Sequence, residues 1–125
     1  MIENDISYDI RGAAFKVHSN LGPGLLESVY EIALKHELKK MGYNVKSQIG
    51  LPVIYDDIKL DIGFRMDLLV NDLVVIEIKS VDALAEVHHK QVLTYLKLSG
   101  KKLGLLINFN VSTMKDSIIR IVNNL

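Results

Sequence analysis

The sequence predicts an α/β fold in which helices cover both faces of a mixed sheet. Two stretches with the helical spacing of apolar residues come first, over residues 4–20 and 24–41. Runs with strand periodicity follow between residues 44 and 79, and a third helical stretch separates them from an apolar run at 103–109. A helix between two buried strands is typical of a crossover joining parallel strands, so we expect both antiparallel and parallel pairs.

Length and composition are those of a globular protein. The 125 residues are 49% hydrophobic and 24% charged, which suits one domain over 1–125 with a buried core. The 15 basic residues balance the 15 acidic ones, which argues against attachment to nucleic acid by overall charge alone. The lack of cysteine excludes disulfides and thiolate metal sites. There is no apolar run of membrane-spanning length and no basic signal-peptide start, so we expect a cytoplasmic protein without membrane attachment.

The first helix is predicted over residues 4–20, with Asn4 or Asp5 as its cap. His18, near its end, is interpreted as a surface or capping residue rather than a metal ligand. Residues 21–24, which contain two glycines and a proline, should break the helix. Its apolar stripe consists of Ile6, Ile10, Ala13, Ala14 and Val17.

The second helix is predicted over residues 24–41, with Gly42 ending it as a C-terminal cap. Gly24, Glu27 and Tyr30 are three residues apart and should share one broad face. Glu27 falls in the first turn, where the helix dipole stabilises a negative charge. Gly24 is interpreted as allowing close approach of another backbone. The side chains expected to face inward are Leu26, Val29, Ala33, Leu34 and Leu38.

Three short strands are predicted next, at 44–49, 51–55 and 58–62. Pro52 favours an edge or a strand start for the second of them. The third strand alternates apolar and charged residues, so one of its faces should meet water. Gly63 should allow a bend or bulge before the strand that follows.

A hairpin of two buried strands, residues 64–70 and 74–79, is the centre of the predicted fold. Asp67 lies within the first apolar run, and Glu77 and Lys79 lie within the second. A charge in a buried strand is costly unless it is paired or binds a metal. Either these residues form a buried ion pair without chemistry, or two carboxylates and an ammonium form a Mg²⁺ site.

The turn between these strands decides whether the charges meet. A two-residue loop at 71–72 would set Asp67 opposite Ile76, so that Glu77 would point to the other face. A three-residue loop at 71–73, or a bulge, would set Asp67 opposite Glu77. A shared site therefore requires the longer loop or a bulge.

A third helix is predicted over residues 83–98, with Asp82 as a candidate cap. His88, Gln91 and Tyr95 fall at positions i, i+3 and i+7, on one face of this helix. They either border a pocket or form a half-exposed helix flank, and periodicity alone favours the flank. The apolar stripe is Leu84, Val87, Val92, Leu93 and Leu96.

The apolar run at 103–109 predicts a strand covered on both faces. It follows a helix, so it should lie parallel to the strand at 74–79 through a right-handed crossover. The tail at 118–122 is either a last strand or a short helix, and its composition slightly favours the strand.

Several of these motifs resemble one known family. Residues 21–30, with the sequence LGPGLLESVY, resemble the motif of the GxxExxY proteins, a group in the PD-(D/E)XK nuclease-like superfamily. Asp67 matches the metal-binding aspartate of that superfamily, and residues 77–79 match its (D/E)XK element. Gln91 and Tyr95 match the QxxxY motif of the RecB-like branch and related exonucleases. The resemblance covers nearly the whole chain, and the three motifs in this order are specific for the family.

The resemblance implies a restriction-endonuclease-like α-β-β-β-α-β core with a mixed central sheet. It also implies Mg²⁺ or Mn²⁺ held by Asp67, Glu77 and the backbone carbonyl of Ile78. Glu27 would be a further ligand or a carboxylate that orients water. Met66 stands where the name-giving motif has proline, a common deviation.

The same resemblance implies a metal-dependent nuclease that hydrolyses phosphodiester bonds of DNA, which is favoured over RNA. Lys79 would assist the attacking water. Gln91 and Tyr95 would orient this lysine or contact the phosphate.

Two alternatives to a nuclease stay open at the level of sequence. One is a catalytically silent binding or assembly module on a nuclease-like scaffold, which the balanced charge and small size favour. The other is hydrolysis of a different phosphate compound. A partner or a homodimer could complete the surface of so small a chain. A lysine patch is a further candidate, although most of its members should be solvated: Lys35, Lys39, Lys46, Lys90, Lys97, Lys101 and Lys102.

Overall fold

The computed structural model describes residues 2–125, apart from the side chains of residues 61–64. In chain order the elements are α1 (Ile2–Leu21), α2 (Glu27–Lys40), β1 (Val45–Tyr55), β2 (Ile58–Val70), β3 (Val74–Lys79), α3 (Glu86–Ser99), β4 (Leu103–Asn108) and β5 (Ile118–Val122). The strands form one sheet in the order β1-β2-β3-β4-β5, in which the β3–β4 pair is parallel and the other neighbouring pairs are antiparallel. The predicted mixed α/β fold is therefore confirmed.

Helices α1 and α2 pack on one face of the sheet and form the larger core with it. The five apolar residues predicted for α1 are all buried. The predicted caps Asn4 and Asp5 are wrong, because α1 begins at Ile2 and both residues lie within its first turn. His18 is half-buried, and its ring Nε2 donates to the Val111 carbonyl at 2.7 Å.

Helix α2 begins at Glu27, three residues later than predicted, and this shift changes which side chains it buries. Leu26 precedes the helix and is 74% exposed, and Val29 is also exposed, so their predicted inward orientation is wrong. Tyr30, Leu34 and Leu38 form the buried face instead. The predicted cap at Gly42 is confirmed by its positive φ of 96°.

The loop between α1 and α2 explains the glycine and tyrosine of the GxxExxY-like segment. Gly22 and Gly24 have φ angles of 71° and 93°, which side-chain-bearing residues rarely adopt. A Cβ on Gly24 would meet no described atom within 4 Å, so the predicted close backbone approach is wrong. The Tyr30 hydroxyl donates to the Gly22 carbonyl at 2.6 Å and accepts from the Leu25 amide at 3.1 Å. Tyr30 therefore fixes the loop, while its ring stacks on Phe109 at a centroid distance of 4.5 Å.

Strands β1 and β2 form a hairpin that is longer than predicted. The stretches predicted at 44–49 and 51–55 join into β1, with a register shift between Leu51 and Val53 around Pro52. The two stretches predicted on either side of Gly63 likewise join into β2. Ile58 and Leu60 are exposed, because β3 pairs only with the Leu68–Val70 end of β2. The side chain of Ile62 and the bend predicted at Gly63 lie outside the described residues.

Helix α3 covers the other face of the sheet and begins at Glu86 rather than at Ala83. The predicted cap Asp82 is wrong, because the helix is capped at Ala85, whose amide donates to His88 Nδ1 at 3.0 Å. Val87 is 64% exposed, contrary to its predicted inward orientation, whereas Val92, Tyr95 and Leu96 are buried.

Strand β4 is buried throughout, as predicted from its apolar run, and it lies parallel to β3, as predicted from the helix that precedes it. The tail forms β5, antiparallel to β4, so the strand alternative is confirmed. Asn108, at the end of β4, pairs in register with Lys79 at the end of β3.

Gly104 allows α3 to pack closely on β4, and we expect Gly104→Ala to lower the free energy of unfolding by about 1–3 kcal/mol. The added Cβ would lie 2.7 Å from Val92 Cγ1 and 3.4 Å from Leu96 Cδ2. Urea denaturation followed by circular dichroism measures the change. Gly50→Ala in β1 is the matched control, since its Cβ would meet no described atom within 4 Å. Equal stability of the two variants would contradict the expectation.

Candidate active site

The register of the β2–β3 hairpin settles which of the two predicted loops is present. Val70 pairs with Val74, and Leu68 pairs with Ile76, so residues 71–73 form a three-residue loop. Continued by one position, this register brings Asp67 beside Glu77. The longer-loop alternative, on which a shared site depends, is confirmed.

The Asp67 side chain binds β3 at the point where the backbone hydrogen bonds between β2 and β3 end. The paired residues end at Leu68 and Ile76. Beyond them, Asp67 Oδ2 accepts a hydrogen bond from the Ile78 amide at 2.8 Å. The carboxylate therefore replaces a backbone carbonyl as the partner of β3, and the two strands separate at this point.

Where β2 separates from β3, the side chains of β1 and β2 also exchange the two faces of the sheet. Leu68 packs in the core beneath α1 and α2, whereas Met66, two residues away, packs with α3 residues. Residues two apart on a regular strand share a face, so β2 turns over at Asp67. Opposite Asp67, Gln48 has a φ of 54°, which makes the matching turn in β1. Asp67 thus lies in an opening between the two helical layers.

Glu77 is a buried carboxylate with few compensating contacts. It is 3% exposed, and its Oε1 has no hydrogen-bond partner in the part of the chain that the structure describes. Its Oε2 lies 4.0 Å from Lys79 Nζ, and the Tyr95 hydroxyl also interacts with the carboxylate. Burial, with a further contribution from the hydrogen bond and negative charge of Asp67, raises the pKa of Glu77 to about 9.

Tyr95 and Gln91 approach the carboxylates from α3. Burial and the negative charge of Glu77 raise the pKa of the Tyr95 hydroxyl, and the Gln91 side chain hydrogen-bonds to this hydroxyl. His88 is instead occupied in capping its own helix. The predicted row of three therefore divides into two residues beside the carboxylates and one on the helix flank.

The loop after Lys79 is fixed by a side chain that the sequence did not single out. Asn108 is buried; its Oδ1 accepts from the Val81 amide at 3.1 Å, and its Nδ2 donates to the Val81 carbonyl at 2.9 Å. Ser80 joins this loop to the segment before α2, donating from Oγ to the Leu25 carbonyl at 2.7 Å. The only feature of the sequence that could have indicated Asn108 is that a polar residue ends an apolar strand.

Glu27 lies at this loop and not beside the other carboxylates. Its side chain is exposed, and Oε2 accepts from the Ser80 amide at 3.2 Å. Within the described residues there is no cluster of three or more His, Asp or Glu side chains close enough to hold a metal ion. The structure thus brings together Asp67, Glu77 and Lys79, and it places Glu27 at the rim.

Two further polar residues adjoin Asp67 and were missed at the level of sequence. Gln48 Nε2 donates to Glu31 Oε1 at 2.6 Å and to Asp67 Oδ1 at 3.5 Å. Burial and the negative charge of Asp67 raise the pKa of Glu31. Glu31 follows Glu27 by about one helical turn, a spacing that could have indicated it. Gln48 shares the polar side of the predicted strand with Lys46 and gave no such signal.

The donors present suit a divalent cation such as Mg²⁺. This ion is usually bound by one or two carboxylates, with waters completing its octahedral coordination. Asp67 and Glu77 supply two carboxylates, and the unpartnered Oε1 of Glu77 is a buried acceptor that a cation would satisfy. The residues therefore fit the metal that the resemblance implies.

The predicted lysine patch is partly neutralised by surface contacts. Lys46 pairs with Asp72 at 2.9 Å, and Lys90 pairs with Glu86 at 3.5 Å. Lys35 donates to the neutral Ser47 hydroxyl at 3.0 Å and so keeps its charge. The two exposed ion pairs contribute little to stability, but they reduce the positive charge available to a polyanion.

Glu77→Gln is expected to flatten the pH dependence of stability in the presence of EDTA. Because the pKa of Glu77 rises on folding from 4.5 to about 9, folded Glu77 keeps a proton that the unfolded chain releases in that interval. The free energy of unfolding of the wild type should therefore fall as pH rises from about 5 to 9. Chemical denaturation at pH 5, 7 and 9 measures this slope. Glu86→Gln, at an exposed site, should keep the wild-type slope; equal slopes for wild type and Glu77→Gln would contradict the expectation.

Comparison with known proteins agrees with this geometry. The sequence model of the PD-(D/E)XK nuclease superfamily matches residues 4–121, nearly the whole chain. No curated protein shows significant similarity to the chain. None of the helices among the described residues is long and apolar enough to cross a membrane. The mixed α/β sheet and the grouping of Asp67, Glu77 and Lys79 at one opening agree with this match. The chain belongs to the PD-(D/E)XK nuclease superfamily.

Proposed function

We propose that this protein is a metal-dependent nuclease that hydrolyses phosphodiester bonds, with DNA as the favoured substrate and RNA as the second. The observation that carries the proposal is the meeting of Asp67 and Glu77 beside Lys79 at the opening between β2 and β3. Two carboxylates and one ammonium at a buried site are costly for folding alone. A role in metal binding and catalysis accounts for this loss of stability.

Asp67, Glu77 and the Ile78 carbonyl are the proposed ligands of Mg²⁺ or Mn²⁺. When bound, the metal polarises the scissile phosphate and lowers the pKa of an attacking water. Asp67 is held in place for this by the Ile78 amide, which restrains its carboxylate at the end of the ladder. Glu77 is held by the packing of β3 between the two cores.

Lys79 is the proposed catalytic residue, and its role is to orient the attacking water. Its ammonium lies near Glu77 Oε2 and is only partly exposed, so its charge acts in a medium of reduced polarity. There it can stabilise the negative charge that develops on the phosphate. The resemblance left open whether Tyr95 orients the lysine or contacts phosphate. Because Tyr95 is 2% exposed and interacts with Glu77, we assign it and Gln91 to positioning.

Glu27 is proposed as a carboxylate at the rim that orients water or substrate. Its exposure and its hydrogen bond from the Ser80 amide support this role over direct metal binding. The motif of Gly24, Glu27 and Tyr30 also supports membership of the GxxExxY group, and Gln91 with Tyr95 supports the RecB-like branch. The cytoplasmic location, the single domain over 1–125 and the homodimer remain predictions.

A catalytically silent binding module is the second candidate. Ile54, Tyr55 and Ile58 expose apolar side chains at the end of the β1–β2 hairpin. Exposed apolar residues in a group are typical of a surface that binds another macromolecule. The binding-module function is supported if the purified protein binds a partner but cleaves no nucleic acid with either metal.

Lys79→Ala should lower metal-dependent cleavage of labelled DNA by about 10²-fold or more, because it removes charge that stabilises the transition state. Purified protein is incubated with linear, circular and single-stranded DNA and with RNA, each with Mg²⁺ or Mn²⁺. Lys90→Ala is the control for loss of one lysine charge, since its ammonium is exposed and pairs with Glu86 on the surface of α3. Circular dichroism verifies the fold of both variants. Cleavage at the wild-type rate by Lys79→Ala would refute the assignment.

Mg²⁺ or Mn²⁺ should raise the melting temperature of the wild type and not that of Asp67→Asn. A ligand that binds only the folded state adds about 2.7 kcal/mol of stability at a concentration 100 times its Kd. Thermal unfolding with EDTA, Ca²⁺, Mg²⁺ and Mn²⁺ measures the shift for both proteins. An equal shift in Asp67→Asn would show that the stabilising metal binds elsewhere.

A further inference from the structure

Glu31 and Asp67 come from different layers of the fold and share one hydrogen-bond donor. The Gln48 amide nitrogen donates to Glu31 Oε1 at 2.6 Å and to Asp67 Oδ1 at 3.5 Å. Glu31 belongs to α2, Gln48 to β1 and Asp67 to β2. Their meeting is possible because β1 and β2 both turn over at the Gln48–Asp67 position.

The amide occupies the place that a cation commonly takes between two acids. A side-chain amide nitrogen carries two hydrogens and can donate one to each carboxylate. It carries no net charge, so the repulsion between the two acids is only partly offset. The contact with Asp67 is the longer of the two, and it is therefore the weaker one.

Glu77 supplies an independent observation on the other side of Asp67. Its Oε1 is buried and has no hydrogen-bond partner in the described part of the chain. Asp67 thus has Glu31 on its α2 side and the unsatisfied oxygen of Glu77 on its α3 side. Glu27, the helix carboxylate indicated by the motif, is instead bound to the Ser80 amide.

From this arrangement, and resting on the proposed function, we propose that Glu31 is a further carboxylate of the divalent-cation site and that the Gln48 amide competes with the cation for the place between Glu31 and Asp67. Without a cation the amide bridges the two carboxylates, and cation binding requires it to release its longer contact with Asp67. Since the described residues hold no ready-made group of three acids, cation binding also requires the Glu31 side chain to move closer to Asp67. Glu31 then completes the site from α2, and Glu27 remains at the rim.

The test is Mn²⁺ binding by the full chain, measured by isothermal titration calorimetry after EDTA treatment. Glu31→Gln keeps an acceptor for Gln48 but removes the charge, so we expect Mn²⁺ affinity to fall about tenfold or more. Gln48→Gly removes the amide and tolerates the φ of 54°, so we expect Mn²⁺ affinity to rise several-fold. Glu86→Gln is the control for loss of one acidic charge at an exposed site. Melting temperatures in EDTA verify that each variant folds.

The outcomes separate this inference from the nuclease proposal. Unchanged Mn²⁺ affinity in Glu31→Gln, with binding lost in Asp67→Asn, would overturn the role of Glu31 and leave the proposed metal site standing. Weaker binding in Gln48→Gly would overturn the competition between amide and cation. Absence of Mn²⁺ binding by the wild type would overturn both proposals. A fall for Glu31→Gln together with a rise for Gln48→Gly supports the inference, because loss of a purely structural contact would not produce opposite changes.

Discussion

The hydrogen bond from the Ile78 amide to the Asp67 carboxylate is the interaction on which the arrangement of the site depends. A buried amide at the end of a ladder needs an acceptor, and here a side chain supplies it where the neighbouring backbone has moved away. The same contact fixes one carboxylate oxygen and opens β2 from β3. Without the three-residue loop at 71–73, Asp67 would face the wrong residue and this exchange could not occur.

The opening gathers more acidic side chains, and therefore more potential negative charge, than a fold would need for its own stability. Glu77 is buried next to Asp67, and Glu31 approaches Asp67 from the opposite layer. Lys79 offsets part of this charge, at a distance of 4.0 Å from Glu77. In a medium of low polarity, carboxylates so close together favour a bound proton or a bound cation. The stability given up here is typical of sites whose geometry serves binding or catalysis.

The motif of the α1–α2 loop contains residues with different physical tasks. Gly24 provides a backbone conformation that other residues rarely adopt, and Tyr30 fixes the loop through two hydrogen bonds and a ring stack on Phe109. Glu27 then points to Ser80, the first residue after Lys79. The motif therefore builds and places the rim of the site, and spacing along the helix alone could not separate these roles.

Strand and helix periodicities are local properties, so the order of residues predicts the α/β order, the buried strands β3 and β4, and the three charges in the central hairpin. Residue order left two loops open between β2 and β3, and the observed pairing of Val70 with Val74 is what brings Asp67 and Glu77 into one site. The starts of α2 and α3 were also misplaced, because Leu26 and Asp82 satisfy local rules that the packed loops override. Glu31 and Gln48 lie beside Asp67 because β1 and β2 both turn over at this position. This is a long-range packing effect, and the spacing of residues along the chain does not predict it.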